Sequence, residues 1–218
     1  MSARFEILLR TDAFVAVSKP VGIATIAERD LAAPCLRSEL ERELGEKVYV
    51  VHRLDKEVSG LVLFARTAEA HRELSMAFEK REVKKTYLAL VHGRPSWESI
   101  LADQPIFAFG SGRMGVDARR GKASETALSV LRLGEAHALV EAQPITGRRH
   151  QIRVHLYAAG HAIAGDLRYG ERELQARYPR LMLHSHRLEL PARFGVGPID
   201  CPRPSDFEAE LALHLPPG

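Results

Sequence analysis

Apolar residues recur along this chain at two spacings, alternate positions and every third or fourth position, and these divide it into strands and helices. Residues 14–17 are a short apolar run that stops at Lys19-Pro20-Val21-Gly22, a turn signal. Pro34 opens a helix whose Leu36, Leu40 and Leu44 are four apart, and Gly45 closes it. Residues 48–51 and 61–65 are β-branched, aromatic or apolar, so two strands bracket a charged loop. Thr67 is placed to cap a helix with Ala70, Leu74, Ala77 and Phe78 on one face, and Lys80 and Arg81 suit its C-terminus.

Further on, residues 86–91 form a strand with Tyr87 near its start. Residues 93–122, rich in Gly, Pro and charge, are a long loop or a small hairpin insertion. Residues 127–133 and 137–141 make a hairpin around Gly134. Thr146 is an N-cap for a helix over 148–159 that Gly160 ends. Its apolar line is Ile152, Leu156 and Ala159, with Arg149 and Arg153 on the flank. Residues 181–190 are a strand, and 191–204 a loop dense in Pro and Gly. Strands outnumber helices and arrive in pairs. The expected fold is therefore α+β, a mixed, largely antiparallel sheet with flanking helices, as one domain over 1–218.

Composition changes this picture little. A chain of 218 residues, 45% hydrophobic and 27% charged, is ordinary for a globular protein with its own core. The distribution of charge adds more. Lys80, Arg81, Lys84 and Lys85 form one basic run, and Arg113, Arg119, Arg120 and Lys122 a second. Arg148, Arg149 and Arg153 form a third, within a segment free of acids. Three such runs in mid-chain suit a polyanion-binding face. Cys35 and Cys201 fit no metal or redox spacing and read as free thiols of a reducing compartment. The N-terminus has no apolar signal-peptide core and no run is long enough to span a bilayer, so a cytoplasmic protein is expected.

Several chemistries drop out. Gly110, Gly112 and Gly115 spell GxGxxG, but the polar VDARRGK follows where an apolar helix is required. Gly115 to Lys122 has five residues between its glycines where a P-loop has four, and Ala123 stands at the magnesium-binding hydroxyl. His150 and His155 are split across a helix, and His184 and His186 find no third ligand, so no metal is expected. Ser59 sits in VSGL, which is no nucleophile elbow.

What remains is the loop VHRLDKEVSG, residues 51–60. Asp55 lies between Arg53 and Lys56, and neighbouring cations suit a charged nucleophilic carboxylate. By spacing alone Asp55 reads first as a turn aspartate with a surface ion pair, since Asp is a common turn residue.

The segment His52–Gly60, HRLDKEVSG, resembles the HRLDxxTSG signature of the RluA-type pseudouridine synthases. Lys19-Pro20-Val21-Gly22 is similar to that family's KPxG turn, and Lys85-Thr86-Tyr87 to its KxY element. Gly121-Lys122-Ala123 through Thr126 resembles its GKxAxT segment, and TGRRHQIRVHL, residues 146–156, its TGRxHQIRxHL motif. Gly165-Asp166 with Tyr169-Gly170 is similar to its GDxxYG turn, and LHSHRLEL at 183–190 to its late strand. Val58 departs from the pattern, which has Thr there.

The resemblance implies an isomerase that turns a specific uridine of ribosomal or transfer RNA into pseudouridine, with no cofactor. It implies the short form of the family, without an additional N-terminal RNA-binding domain; a monomer is the default expectation for an enzyme that must wrap an RNA stem-loop. It makes Asp55 the nucleophile, with Arg153 paired to it and Tyr87 stacking on the target base. Because the base is buried in RNA, it must be flipped out. Arg53 is then expected to fill the space of the extruded base or hold its phosphate, with Arg148, Arg149 and Lys122 as further RNA contacts. Two other readings stay open at this point. One is a non-catalytic RNA-binding module on the same fold. The other is a nucleoside glycosidase, for which Glu57 is the only nearby second carboxylate.

Overall fold

The structure, a computed structural model, describes residues 5–27, 33–110 and 112–216. In chain order its elements are β1 (Glu6–Arg10), β2 (Phe14–Lys19), α1 (Leu36–Leu44), β3 (Tyr49–Val50), β4 (Ser59–Ala65) and α2 (Ala68–Glu79). There follow β5 (Lys84–His92), β6 (Ser99–Ala102), β7 (Ile106–Ala108), β8 (Met114–Val116), β9 (Thr126–Leu133) and β10 (His137–Pro144). The chain ends with α3 (Gln151–Ala158), α4 (Arg172–Gln175), β11 (Leu183–Glu189), β12 (Ile199–Asp200) and α5 (Ser205–His214). The architecture is the expected α+β one, a largely antiparallel sheet with few helices. It divides into two compact units, Met1–Lys84 with Ser185–Pro202, and Lys85–His184 with Arg203–Gly218.

In the first unit the strands run β1-β2-β4-β11, with β3 on β4 and β12 on β11. Strands β2 and β4 are antiparallel, Phe14 opposite Ala65 and Lys19 opposite Gly60. That register sets the turn after β2 beside the loop before β4, and so builds the platform for Asp55. Every residue of β4 is buried, which explains its unbroken apolar run. Helix α2 packs Ala70, Leu74 and Ala77 into a core with Phe14, Leu61 and Leu63. The Thr67 hydroxyl accepts from the Ala70 amide, as its cap position predicted. Gly60 has φ +117, and a Cβ there would fall inside the backbone of Ser185. No other residue type meets that close approach without strain.

In the second unit the order is β5-β10-β9-β6, with Tyr87 opposite Ala142. The segment 93–122 is not one loop. Its β6 extends the sheet on β9, and β7 and β8 form a separate two-stranded hairpin. Gly112, at φ +72, sits in the connection of that hairpin, where the spurious GxGxxG lies. A small cluster of Ile106, Met114, Val154 and Tyr169 joins the hairpin to α3.

Helix α3 corrects one expectation. It starts at Gln151, and its N-cap is His150 in a left-handed conformation, φ 55, with no side-chain cap bond. Thr146 does not cap it, because its hydroxyl donates to Gln151 Oε1 at 2.6 Å and accepts from the Glu125 amide at 3.0 Å. Arg148 and Arg149 therefore precede the helix, and of the three arginines only Arg153 lies on it. Strand β1 and helix α5 were not legible. The first is a half-exposed strand without clear alternation, and the second buries only Phe207 and Leu211.

Candidate active site

Asp55 is half-buried on the loop between β3 and β4, and the chain on both sides of it is tied down through its backbone. The Leu54 amide donates to the Thr25 hydroxyl at 3.1 Å, and that hydroxyl donates to the Leu54 carbonyl at 3.0 Å. The Asp55 carbonyl accepts the Val58 amide at 3.1 Å and closes a turn over Lys56 and Glu57. The Lys56 carbonyl accepts the Gly22 amide at 2.9 Å. It also accepts from the ammonium of Lys19, which donates as well to the carbonyls of Pro20 and Ile23. Lys19 is fully buried, and a buried cation is stable only when such acceptors surround it. The KPVG turn thus works as a clamp on the loop that carries Asp55.

Side chains of the same loop point elsewhere. The His52 ring stacks on Phe78 with centroids 4.8 Å apart, and its Nε2 accepts from the Leu63 amide at 2.9 Å. Leu54 and Val58 are buried, so the position where Thr was expected is filled by an apolar side chain. Arg53, Lys56 and Glu57 are exposed. The loop is a rigid backbone that presents charged groups to solvent, which is the form a substrate-handling loop needs.

The remaining expected site residues belong to the second unit. Tyr87 lies on β5 and keeps 9% of its surface accessible. Lys122 is exposed beside β7, its backbone paired to Ile106 in both directions. Arg148 donates from Nε to the Ala123 carbonyl at 3.3 Å, and Arg149 from Nη2 to the Gly112 carbonyl. Both are exposed on the connection from β10 to α3, and Lys122 adds a cation on the connection from β8 to β9.

Arg153 is different in kind. It is buried, and its guanidinium donates from Nε and Nη2 to the two oxygens of Asp166, each at 2.8 Å. The Asp166 side chain is itself fully buried. Around this pair, α3 is built from satisfied polar side chains. Gln151 donates to the Glu125 carbonyl and the Thr126 hydroxyl, and accepts from the Thr146 hydroxyl and the Arg148 amide. The Thr126 hydroxyl in turn reaches His155 Nδ1 at 2.8 Å, while His155 Nε2 faces the Gln104 carbonyl at 3.0 Å. That network assigns the proton to Nε2, and burial pulls His155 toward the neutral form. Among the described residues no buried side-chain nitrogen or oxygen lacks a hydrogen-bond partner. Among the same residues no three or more His, Cys, Asp or Glu group as metal ligands, and no helix is long and apolar enough to cross a membrane.

Lys19, Thr25, Gln151, Asp166 and Tyr169 were not assigned roles from sequence. Their side chains act on backbone atoms or on other motif residues, and only a fold shows that.

Comparison with known proteins bears on both units. The family profile described as RNA pseudouridylate synthase matches residues 13–158, which include Asp55, Tyr87 and Arg153. The dual-specificity RNA pseudouridine synthase RluA of Escherichia coli is 35% identical over 205 residues, 92% of this chain and 93% of that protein. An uncharacterized RNA pseudouridine synthase of Zymomonas mobilis is 35% identical over 199 residues, covering 88% and 90%. Among solved structures, human RNA pseudouridylate synthase domain containing 4 superposes with a TM-score of 0.78 at 29% identity. It covers 94% of this chain and 91% of that one.

Proposed function

The chain belongs to the RNA pseudouridylate synthase family, isomerases that act on RNA, and from that premise we propose that it converts a chosen uridine of a ribosomal or transfer RNA stem-loop into pseudouridine with Asp55 as nucleophile. The observation that carries this reading is the clamped loop. A carboxylate held between two backbone anchors, at Leu54 and Lys56, meets a reacting sugar or base in one fixed position. In the reaction the bond from nitrogen 1 of uracil to the ribose breaks. The detached ring turns, and its carbon 5 bonds to the same ribose carbon. The hydrogen of carbon 5 leaves to solvent and nitrogen 1 gains a proton, so atoms balance without oxidant, reductant or cofactor.

The target base is flipped out of its stack before this chemistry, since the bond to be broken is otherwise buried in the RNA. Tyr87 and Arg153 are assigned the stacking and charge-balancing roles that the resemblance implies. The exposed guanidinium of Arg53, two residues from Asp55, is suited to fill the vacated space or take a phosphate. Lys122, Arg148 and Arg149 supply sequence-independent phosphate contacts. The E. coli relative is named for dual specificity, which fits a site that accepts more than one RNA context.

The test is tritium release from transfer and ribosomal RNA transcripts labelled at carbon 5 of uridine, with pseudouridine mapped in cells that lack the gene. Release with wild-type protein and none with Asp55→Asn, at unchanged RNA binding, is expected. Turnover by Asp55→Asn, or free uracil as product, overturns the reading.

A further inference from the structure

Arg153 is gripped within its own unit, and the grip extends to a surface element that has no assigned role. Asp166 binds it through the Nε–Nη2 edge, so the direction of the opposite edge of the guanidinium follows from where Asp166 sits. Asp166 is in turn immobilised. Its Oδ1 accepts the amides of Arg168 and Tyr169 at 3.0 and 3.2 Å, closing the turn on itself. The amides of Gly165 and Asp166 donate to Gln175 Oε1. Gly165, at φ +79, is pressed against the Arg180 carbonyl where no Cβ fits. Tyr169 completes the arrangement, with the Arg153 guanidinium 5.1 Å from its ring centre.

The Tyr169 hydroxyl points toward the hairpin. It accepts the Met114 amide of β8 at 3.1 Å and is hydrogen-bonded to Nδ1 of His150, the residue before α3, at 2.7 Å. Burial pushes the phenol above its usual range, so the hydroxyl stays neutral. Arg113 of the hairpin lies 5.5 Å from the same ring and 6.0 Å from that of Tyr157. Arg149 reaches the Gly112 carbonyl. The hairpin forms no part of the main sheet, so these contacts, the small cluster around Met114 and the backbone pairing of Ile106 with Lys122 hold it. The turn after β8 adds the exposed Arg119 and Arg120, the latter paired to Asp117 and 4.3 Å from the Phe107 ring of β7.

We propose that Asp166 and Tyr169 are positioning residues that fix the orientation of Arg153, and that the Tyr169 hydroxyl couples this orientation to the β7–β8 hairpin. The proposal rests on the reading that Arg153 takes part in the isomerisation. A buried ion pair gains little stability over apolar packing, whereas it sets direction well, because the bidentate geometry allows one orientation. An RNA seated on the cationic hairpin then shifts Met114, Tyr169 and Arg153 as one connected set.

Two variants separate this from a merely structural role. Tyr169→Phe keeps the ring under Arg153 and the Asp166 turn but removes the hydroxyl. Its single-turnover tritium release should fall about tenfold with the RNA dissociation constant unchanged, a loss that persists at temperatures where the variant, destabilised by the unpaired Met114 amide, is still fully folded. Asp166→Asn should lower the rate about a hundredfold. In the same variant the Arg153 Nε–H, followed by 15N-edited NMR and assigned with Arg153→Lys, should exchange faster with solvent. Wild-type rates in Tyr169→Phe overturn the coupling. An Arg153 Nε–H still protected in Asp166→Asn overturns the positioning, and so do rate losses that only track melting temperature. If wild-type protein releases no tritium from any RNA, it is the pseudouridine reading that fails, and the NMR arm still decides whether Asp166 orients Arg153.

Discussion

The loop around Asp55 and the segment around Arg153 are held by opposite means. At Asp55 the anchors grip backbone atoms: Thr25 holds Leu54, and Gly22 and Lys19 hold Lys56. The side chains of Arg53, Lys56 and Glu57 are left to solvent. At Arg153 the motif side chains are the structure. All residues of α3 from Gln151 to Leu156 are buried, and the polar ones are spent on Thr126, Thr146, Glu125, Gln104 and Asp166. Two stretches of similar polarity thus carry different constraints. In the first, side chains are carried on a backbone that other segments hold; in the second, the side chains themselves hold the fold, and the proposed reaction draws on one of them.

The sharpest way to break this contrast is at Asp55. Asp55→Asn should lower tritium release at least about a thousandfold while leaving melting temperature and RNA binding unchanged. A large loss of stability in that variant would place Asp55 with the folding residues. Gln151→Leu should do the reverse. It strips partners from the Glu125 carbonyl, the Thr126 and Thr146 hydroxyls and the Arg148 amide, and should cost about 3 kcal/mol in urea unfolding.

Acid should strike the second unit as a whole, through His155 of α3 and His92 and His137 of the sheet. Burial lowers His92 and His155 and, with His214 and His92 close by, takes His137 down to about 4. These histidines are neutral when folded and bind protons more readily when unfolded. Stability is therefore full above the ordinary value of 6.5 and is lost as pH falls toward 4. The slope for each histidine is at most about 1.4 kcal/mol per pH unit. Urea midpoints measured across that window, with His137→Gln flattening the slope, check this.

Two smaller effects test the backbone clamp. Thr25→Val removes both bonds to Leu54 and should cost about 1–2 kcal/mol in urea unfolding, with turnover falling alongside. Lys56→Ala should stay within about 0.5 kcal/mol, because its carbonyl and not its side chain is the anchor point.

Much of this was legible in the chain. Strands at 61–65 and 86–91, the Thr67 cap and the Gly45 helix end follow from local pattern, since each is decided within a few residues. Thr146 misled because it has the local form of a cap, while Gln151, five residues on, took its hydroxyl. Asp166 and Tyr169 stood out only as parts of a family-like turn. Nothing in their spacing says that one grips an arginine thirteen residues back and the other a backbone amide of the hairpin.

By itself, then, the sequence determined the central strands and the helices at 36–44 and 68–79, the largely antiparallel sheet, the family and the loop on which chemistry is expected. Periodicity, turn residues and contiguous motifs are all short-range signals. Only the tertiary structure decided which backbone atoms Lys19 and Thr25 hold, why Gly60 admits no side chain and what Arg153 is paired with inside its unit. Those contacts join residues far apart in the chain, and their energies depend on burial and geometry that no local pattern encodes.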